Sequence, residues 1–142
     1  GYFAQEHDTL NPDESVWDNM VRQAPDAGAQ DLRGLLGAFM LTEQMWEQPA
    51  GTLSGGEKTR LALATLVLSS ANVLLLDEPT NNLDPASRAQ VLDAIGNFGG
   101  AIVLVTHDEG AVHALDPDRV LVLPDGTEDH WNEEYQELIE LA

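Results

Sequence analysis

The chain has 142 residues, 43% of them hydrophobic, which is enough for one folded domain with a sizeable core and argues against disorder. Its 25 acidic residues against 6 basic ones give a net charge of -19, with Lys58 the single lysine; this excludes a polybasic membrane patch and a broad grip on nucleic-acid phosphates, and fits a solubility surface or a salt-rich cytoplasm. Cysteine is absent, so disulfides, thiolate metal sites and a cysteine nucleophile are excluded, and no apolar run reaches the ~18 residues a membrane span needs.

In chain order, Gly1–Gln5 (GYFAQ) reads as a short strand that starts inside an apolar stretch and lacks the basic, apolar organisation of a signal peptide. HDTLNPDE is loop. Ser15–Gln23 spaces Val16, Trp17, Met20 and Val21 as a helix does, and APDAG ends it. Gln30–Phe39 repeats the pattern with Leu32, Leu35, Leu36 and Phe39, weakened by Gly34 and Gly37; a further turn of helix lies near Leu41–Trp46. Gly55–Ser69 is a mostly apolar helix. NVLLLDEPT has the apolar run of a strand buried on both faces. Pro85–Ile95 is a helix with Asp84 as N-cap and proline at its first position. GAIVLVTHD is a second apolar strand, and Asp108–Leu115 a short helix. DRVLVLPDGTEDHW reads as two strands around the turn Pro124-Asp125-Gly126, and Asn132 caps a last helix. A helical first third followed by alternating helix and strand predicts an α/β fold with a mostly parallel sheet.

Three stretches carry chemistry. VLLLDEP ends a buried parallel strand with Asp77 and Glu78, at the sheet edge where open α/β folds bind ligands. Two adjacent carboxylates repel, so a divalent cation or a proton on one of them should compensate. In phosphoryl transfer the Asp at such a place holds Mg²⁺ and the next carboxylate deprotonates an attacking water; the plain alternative is two acids capping a turn in solvent. VLVTHD puts His107 at the same edge, where an imidazole can bond a phosphate oxygen or simply brace the turn. TLSGGEKTRL opens a helix with Ser54, Gly55 and Gly56, whose free backbone N–H groups make an anion seat; the alternative is a helix cap by Ser54. Gly51-x₄-Gly56-Glu57-Lys58-Thr59 misses a phosphate loop by one residue, since Glu57 stands where the lysine must be, and no buried strand precedes it. Lys58 and Arg60 are expected along the helix surface.

LSGGEKTRLALATLVLSSANVLLLDEPTNNLD followed by VLVTHD resembles the nucleotide-binding domain of ABC ATPases over nearly the whole chain. The resemblance implies a P-loop NTPase-like sheet with an α-helical signature subdomain, ATP and Mg²⁺ as cofactors, and ATP hydrolysis. It makes Leu53–Glu57 the signature motif, so that Ser54, Gly55, Gly56 and Glu57 touch nucleotide. Val73–Asp77 becomes the Walker B strand, with Asp77 and Gln5 at the metal. Glu78 becomes the catalytic base, Asn81–Asp84 the D-loop with Asp84 at the nucleotide, and His107 the switch histidine. In such ATPases two domains sandwich two ATP molecules, so the seat at Ser54 serves a phosphate held by a second nucleotide-binding domain. The Walker A loop and the adenine-stacking aromatic are expected before Gly1. The 142 residues then read as the C-terminal part of a domain, inactive alone, with 1–71 holding the glutamine loop, helical subdomain and signature helix and 72–142 the rest of the core. The missing strand is expected to leave an open sheet edge.

SGGE with DEPTNNLD resembles the ABC-F branch, whose members are cytoplasmic, carry two such domains and act on the ribosome in translation or antibiotic protection. The competing resemblance is to the ATPase subunit of a membrane transporter. The coiled-coil chromosome and repair ATPases fit poorly, because roughly 48 residues separate Gln5 from Leu53 without sustained heptads. A non-catalytic interaction module is the remaining alternative. The acidity implies that this segment itself contacts little ribosomal RNA.

Overall fold

A computed structural model describes residues 1–3 and 9–140; Gln5 lies outside the described residues. The elements follow the expected order. Strand β1 (Tyr2–Phe3) is followed by helices α1 (Val16–Gln23), α2 (Ala29–Ala38) and α3 (Gly55–Leu68). Then strands and helices alternate: β2 (Val73–Asp77), α4 (Pro85–Gly96), β3 (Ala101–Val105) and α5 (Glu109–Leu115). A hairpin of β4 (Arg119–Val122) and β5 (Thr127–His130) leads to α6 (Glu133–Glu140). Single 3₁₀ turns at Glu43–Met45 and Ala50–Thr52 connect α2 to α3; the second of them is not visible as a periodicity in the sequence.

The helix starts are set by side chains. Ser15 accepts the Asp18 N–H, Ser54 the Glu57 N–H, Asp84 the Ser87 N–H and Asp108 the Gly110 N–H, each satisfying a donor that a first turn leaves unpaired. Asn132 does the same for Glu134 at α6. In the helical region a buried Asn19 ties α1 to the preceding loop. Its Nδ2 donates to the carbonyls of Asn11 (3.0 Å) and Ser15 (2.9 Å), and its Oδ1 accepts from the Asn11 N–H (2.9 Å) and Arg22 (2.9 Å). Trp46 tilts against Trp17 at 5.6 Å and donates its indole N–H to the Leu41 carbonyl.

Helix α3 is the centre of the molecule. Its Leu61, Leu63 and Ala64 pack in one core with Val16 and Met20 of α1, Leu32 and Leu36 of α2, Leu74 and Leu76 of β2, and Val91 and Ile95 of α4. The sheet runs β1-β2-β3 with both pairings parallel, Asp77 opposite Val105 at the carboxyl end; β4 and β5 form a separate antiparallel pair. Among the described residues β3 is paired on one edge only, as an open edge requires.

The strands are not buried on both faces. Leu74 and Leu76 are covered by helices, whereas Tyr2, Val73, Leu75, Val103 and Val105 are 41–59% exposed on the other face. An unbroken apolar run specifies two apolar faces, and the described residues supply a cover for one of them. Leu76→Ala is therefore expected to cost about 2–5 kcal/mol in urea unfolding, while Val103→Thr stays within about 0.5 kcal/mol of the parent.

Candidate functional site

The parallel register aligns the ends of β2 and β3, so the residues just past Asp77 and Val105 meet at one edge of the sheet. Glu78 turns out of the strand with φ 46°, the left-handed region that a β-carbon disfavours, while its N–H still bonds the Val105 carbonyl at 2.9 Å. Its carboxylate reaches across to the neighbouring turn. Oε1 lies 2.6 Å from His107 Nδ1 and accepts the His107 main-chain N–H at 3.2 Å; Oε2 accepts from the Thr106 hydroxyl at 3.3 Å. Glu78 is 19% exposed and the imidazole 64%, so the acid sits inside and the ring at the mouth. A carboxylate only accepts, so Nδ1 carries the proton and Nε2 faces outward, an acceptor in the neutral ring and a donor in the charged one.

Asp77, at the strand end, is half-buried, and among the described residues no side chain engages its carboxylate. Among the same residues no group of three or more His, Asp or Glu side chains is disposed to hold a metal by itself.

Downstream of Glu78 the chain folds back under α3. The Leu83 N–H bonds the Thr80 carbonyl at 3.0 Å, and Thr80 and Leu83 are buried. A β-carbon on Gly56 would come within 3.2 Å of the Asn82 carbonyl oxygen, a tight approach that favours glycine there; one on Gly55 would meet nothing within 4 Å. Ser54 and Glu57 form a capping box: the Ser54 N–H donates to Glu57 Oε2 at 2.7 Å and the Glu57 N–H to Ser54 Oγ at 3.4 Å. The Ser54 backbone N–H, then its hydroxyl, hold the Glu57 carboxyl below the usual glutamate range. The box consumes two first-turn donors. The N–H groups of Gly55 and Gly56 remain unengaged among the described residues, pointing from the positive end of a 14-residue helix.

Arg60 does not lie along the surface. Its Nη1 donates to Ser87 Oγ at 2.9 Å, Ser87 in turn bonds Asp84, and its Nε is buried without a partner among the described residues. These bonds from Ser87, side chain first, hold the exposed Asp84 carboxyl below its ordinary range. The Arg60 side chain is long enough to cross from α3 to α4, covering its apolar stem while its Nη1 reaches Ser87. Thus the structure joins Glu78 to His107, and Gly56 to the Asn82 turn. It leaves Gln5 undescribed and turns Glu57 and Asp84 onto their own helix starts. Sequence reasoning passed over Thr106, Thr80, Asp108, Arg88 and Ser87, although a threonine immediately before the histidine of VLVTHD was a readable signal.

Comparison with known proteins gives a consistent picture. The family model described as ABC transporter matches residues 1–81. The Probable ATP-binding protein YheS of Haemophilus influenzae is 44% identical over 109 residues, covering 76% of this chain and 17% of that protein. Protein GCN20 of Saccharomyces cerevisiae is 35% identical over 81% of this chain and 15% of its own length. ABC transporter F family member 5 of Arabidopsis thaliana is 32% identical over 98% of this chain and 20% of its own. The chain thus spans 15–20% of the length of these curated relatives. Among solved structures, the dimeric post-hydrolysis state of the ATP-binding cassette MJ0796 bound to ADP and Pi superposes with a TM-score of 0.72 at 23% identity, over 92% of this chain and 62% of that one, which shows the fold.

The capping box gives a pH-dependent test. Glu57 has its folded pKa lowered, so its contribution is present above the ordinary glutamate range and disappears as pH falls through the folded value. The stability advantage of the parent over Glu57→Gln in urea unfolding is expected to be largest near neutral pH and to disappear as pH falls through the lowered folded value of Glu57. Ser54→Ala is expected to cost about 1 kcal/mol.

Proposed function

The chain belongs to the ABC transporter family of ATP-binding domains, on its F-type branch, and from that premise we propose that it supplies the signature and hydrolytic half of a Mg²⁺-dependent ATPase acting on the ribosome. The observation that carries the reading is the Glu78–His107 contact of 2.6 Å at the carboxyl edge of a parallel sheet, in a chain that also carries a glycine-led helix start with Gly55 and Gly56 N–H groups unengaged among the described residues.

In this reading Glu78 is the general base. It accepts a proton from the water that attacks the terminal phosphorus of ATP, while the bond from phosphorus to the bridging oxygen breaks and ADP leaves. Its burial beside an apolar strand limits competition from solvent water, and the His107 Nδ1–H fixes its orientation. The outward Nε2 meets a phosphate oxygen. Asp77 fits a Mg²⁺ ligand: a half-buried carboxylate with no partner among the described residues is the kind of donor that this cation uses singly, alongside phosphate and water, with Gln5 the second expected contact. Bound there, the cation neutralises phosphate charge. Ser54, Gly55 and Gly56 offer a hydroxyl and two N–H groups to the terminal phosphate of a nucleotide held by a second domain. The open space at Gly55 supports an occupant from outside the chain. Glu57 acts indirectly by holding the cap, and Asp84 by fixing the start of α4. No phosphate loop occurs in the 142 residues, so binding of ATP rests on residues beyond them.

The likeness of SGGE and DEPTNNLD to the ABC-F branch is what favours ribosome action over service to a membrane permease in this reading. Among the described residues no helix is long and apolar enough to cross a membrane. With a net charge of -19, this segment meets basic ribosomal protein if it touches the particle at all, and the positive charge for RNA comes from elsewhere.

Glu78→Gln in the full-length protein is expected to keep ATP affinity, lower turnover by roughly 100-fold or more, and increase nucleotide-dependent co-sedimentation with ribosomes. Parental turnover in that variant would falsify the base assignment, and no co-sedimentation under any nucleotide would remove the ribosome. The 142 residues alone are expected to give no heat of ATP binding in calorimetry, with or without Mg²⁺.

A further inference from the structure

The turns that follow β2 and β3 are cross-bonded in both directions by one repeated pair of residue types. Thr106, after β3, donates its hydroxyl to Glu78 Oε2 at 3.3 Å; Thr80, after β2, donates its hydroxyl to Asp108 Oδ2 at 3.2 Å. Each turn therefore contributes one acid and one threonine two residues apart, and each threonine serves the acid of the other turn. The direction of the first bond is settled locally. Thr106 Oγ1 accepts the Asp108 N–H at 3.0 Å, which leaves its own proton free to point at Glu78. Asp108 is anchored in turn: Arg88 reaches its Oδ2 at 3.2 Å, and the Gly110 N–H reaches its Oδ1 at 3.0 Å. Thr80 is 1% exposed, so its hydroxyl has no water to compete for it.

The two oxygens of Glu78 are not equivalent within this clasp. Oε1 already takes two donors from His107, whereas Oε2 has the Thr106 hydroxyl as its single donor among the described residues. Oε2 thus keeps a lone pair for a further proton, and Thr106 sets the direction in which that lone pair points. Without the hydroxyl the carboxylate can swing about its Oε1 contacts, and the left-handed backbone at Glu78 does nothing to stop it.

We propose that Thr106 is a positioning residue for hydrolysis, aiming the free oxygen of Glu78 at the attacking water, and that the Thr80–Asp108 bond holds the turn from which it does so. The proposal rests on the reading of Glu78 as the base. A Thr106 hydroxyl bond that is long in the absence of substrate is expected to tighten around a bound water.

The test uses the full-length ATPase and four variants: Thr106→Val, Thr106→Ser, Thr106→Cys and Glu78→Gln. Thr106→Val, which replaces the hydroxyl by a methyl of similar size, is expected to lower kcat by roughly 10- to 100-fold with KM and ATP affinity within about twofold of the parent. Thr106→Ser restores kcat to within about threefold, and Thr106→Cys, similar to serine in size but a weak donor, stays well below it. In the Glu78→Gln background Thr106→Val adds no further loss, because the two act as a unit. Parental kcat in Thr106→Val, equal rates in the serine and cysteine variants, or losses that multiply with Glu78→Gln would each overturn the proposal. If Thr106→Val loses ATP affinity as a folding defect, the serine–cysteine comparison decides alone. Full turnover in Glu78→Gln instead defeats the base assignment beneath it, so the two failures are distinguishable.

Discussion

The parallel pairing of β2 with β3, in a register that sets Asp77 opposite Val105, is the constraint from which the rest of the site follows. Parallel strands end on the same side, so whatever follows each strand is brought together without any contact having to be made by a flexible loop. Here one strand is followed by an acid and the other by a threonine and a histidine. The bond from the Glu78 N–H to the Val105 carbonyl extends the ladder one residue past the strand, and the φ of 46° at Glu78 is what this extension imposes on a chain that must also turn away. A backbone strain of order 1–3 kcal/mol persists because the carboxylate is bonded at both oxygens.

Much of this architecture is legible in the residues. Apolar spacing at Val16, Met20, Leu32 and Leu36 marks helices, and all four positions are buried. Caps are local chemistry, so Ser54, Asp84 and Asn132 could be read directly, and each accepts the expected N–H. Glu78 and His107 could be assigned to one edge because two apolar strands flanking a helix imply parallel pairing. What could not be read depends on distant partners. Arg60 looks like any surface cation until α4 presents Ser87 to it, and Asn19 looks like a polar surface residue until four bonds to the 11–15 loop and to Arg22 account for its burial. The covered and uncovered faces of β2 and β3 carry the same residue types, so composition cannot tell them apart.

The same separation of local from distant causes applies to the acid balance. With 25 acids in 142 residues, an individual carboxylate carries little information. The informative ones are those with specific donors, among them Glu57 on Ser54, Asp84 on Ser87, Asp108 on Thr80 and Arg88, and Glu78 on Thr106 and His107; away from the site Glu14 on Arg22, Asp18 on Ser15, Glu128 on Arg119 and Asp129 on Tyr135 are bonded as well. The first four lie in the segments 54–60, 77–88 and 105–110, the outer two of which each contact 77–88.

The two glycines of the α3 start show how position within a motif divides labour. Gly56 is a glycine for the chain's own sake, since any β-carbon would crowd the Asn82 carbonyl. Gly55 has no such reason, for space lies open around it, and helix propensity alone would favour almost any other residue at a first-turn position. The space at Gly55 is compatible with the proposed anion approaching from outside, although Gly34 and Gly37 in α2 have equally open surroundings. The capping box sharpens the point. By satisfying the Ser54 and Glu57 N–H groups internally, it leaves the adjacent Gly55 and Gly56 donors aimed along the axis, where the helix dipole favours negative charge. The internal cap and an anion bound as proposed would therefore not compete for the same groups. One face of the first turn closes the helix, and the other is kept open by the absence of a side chain.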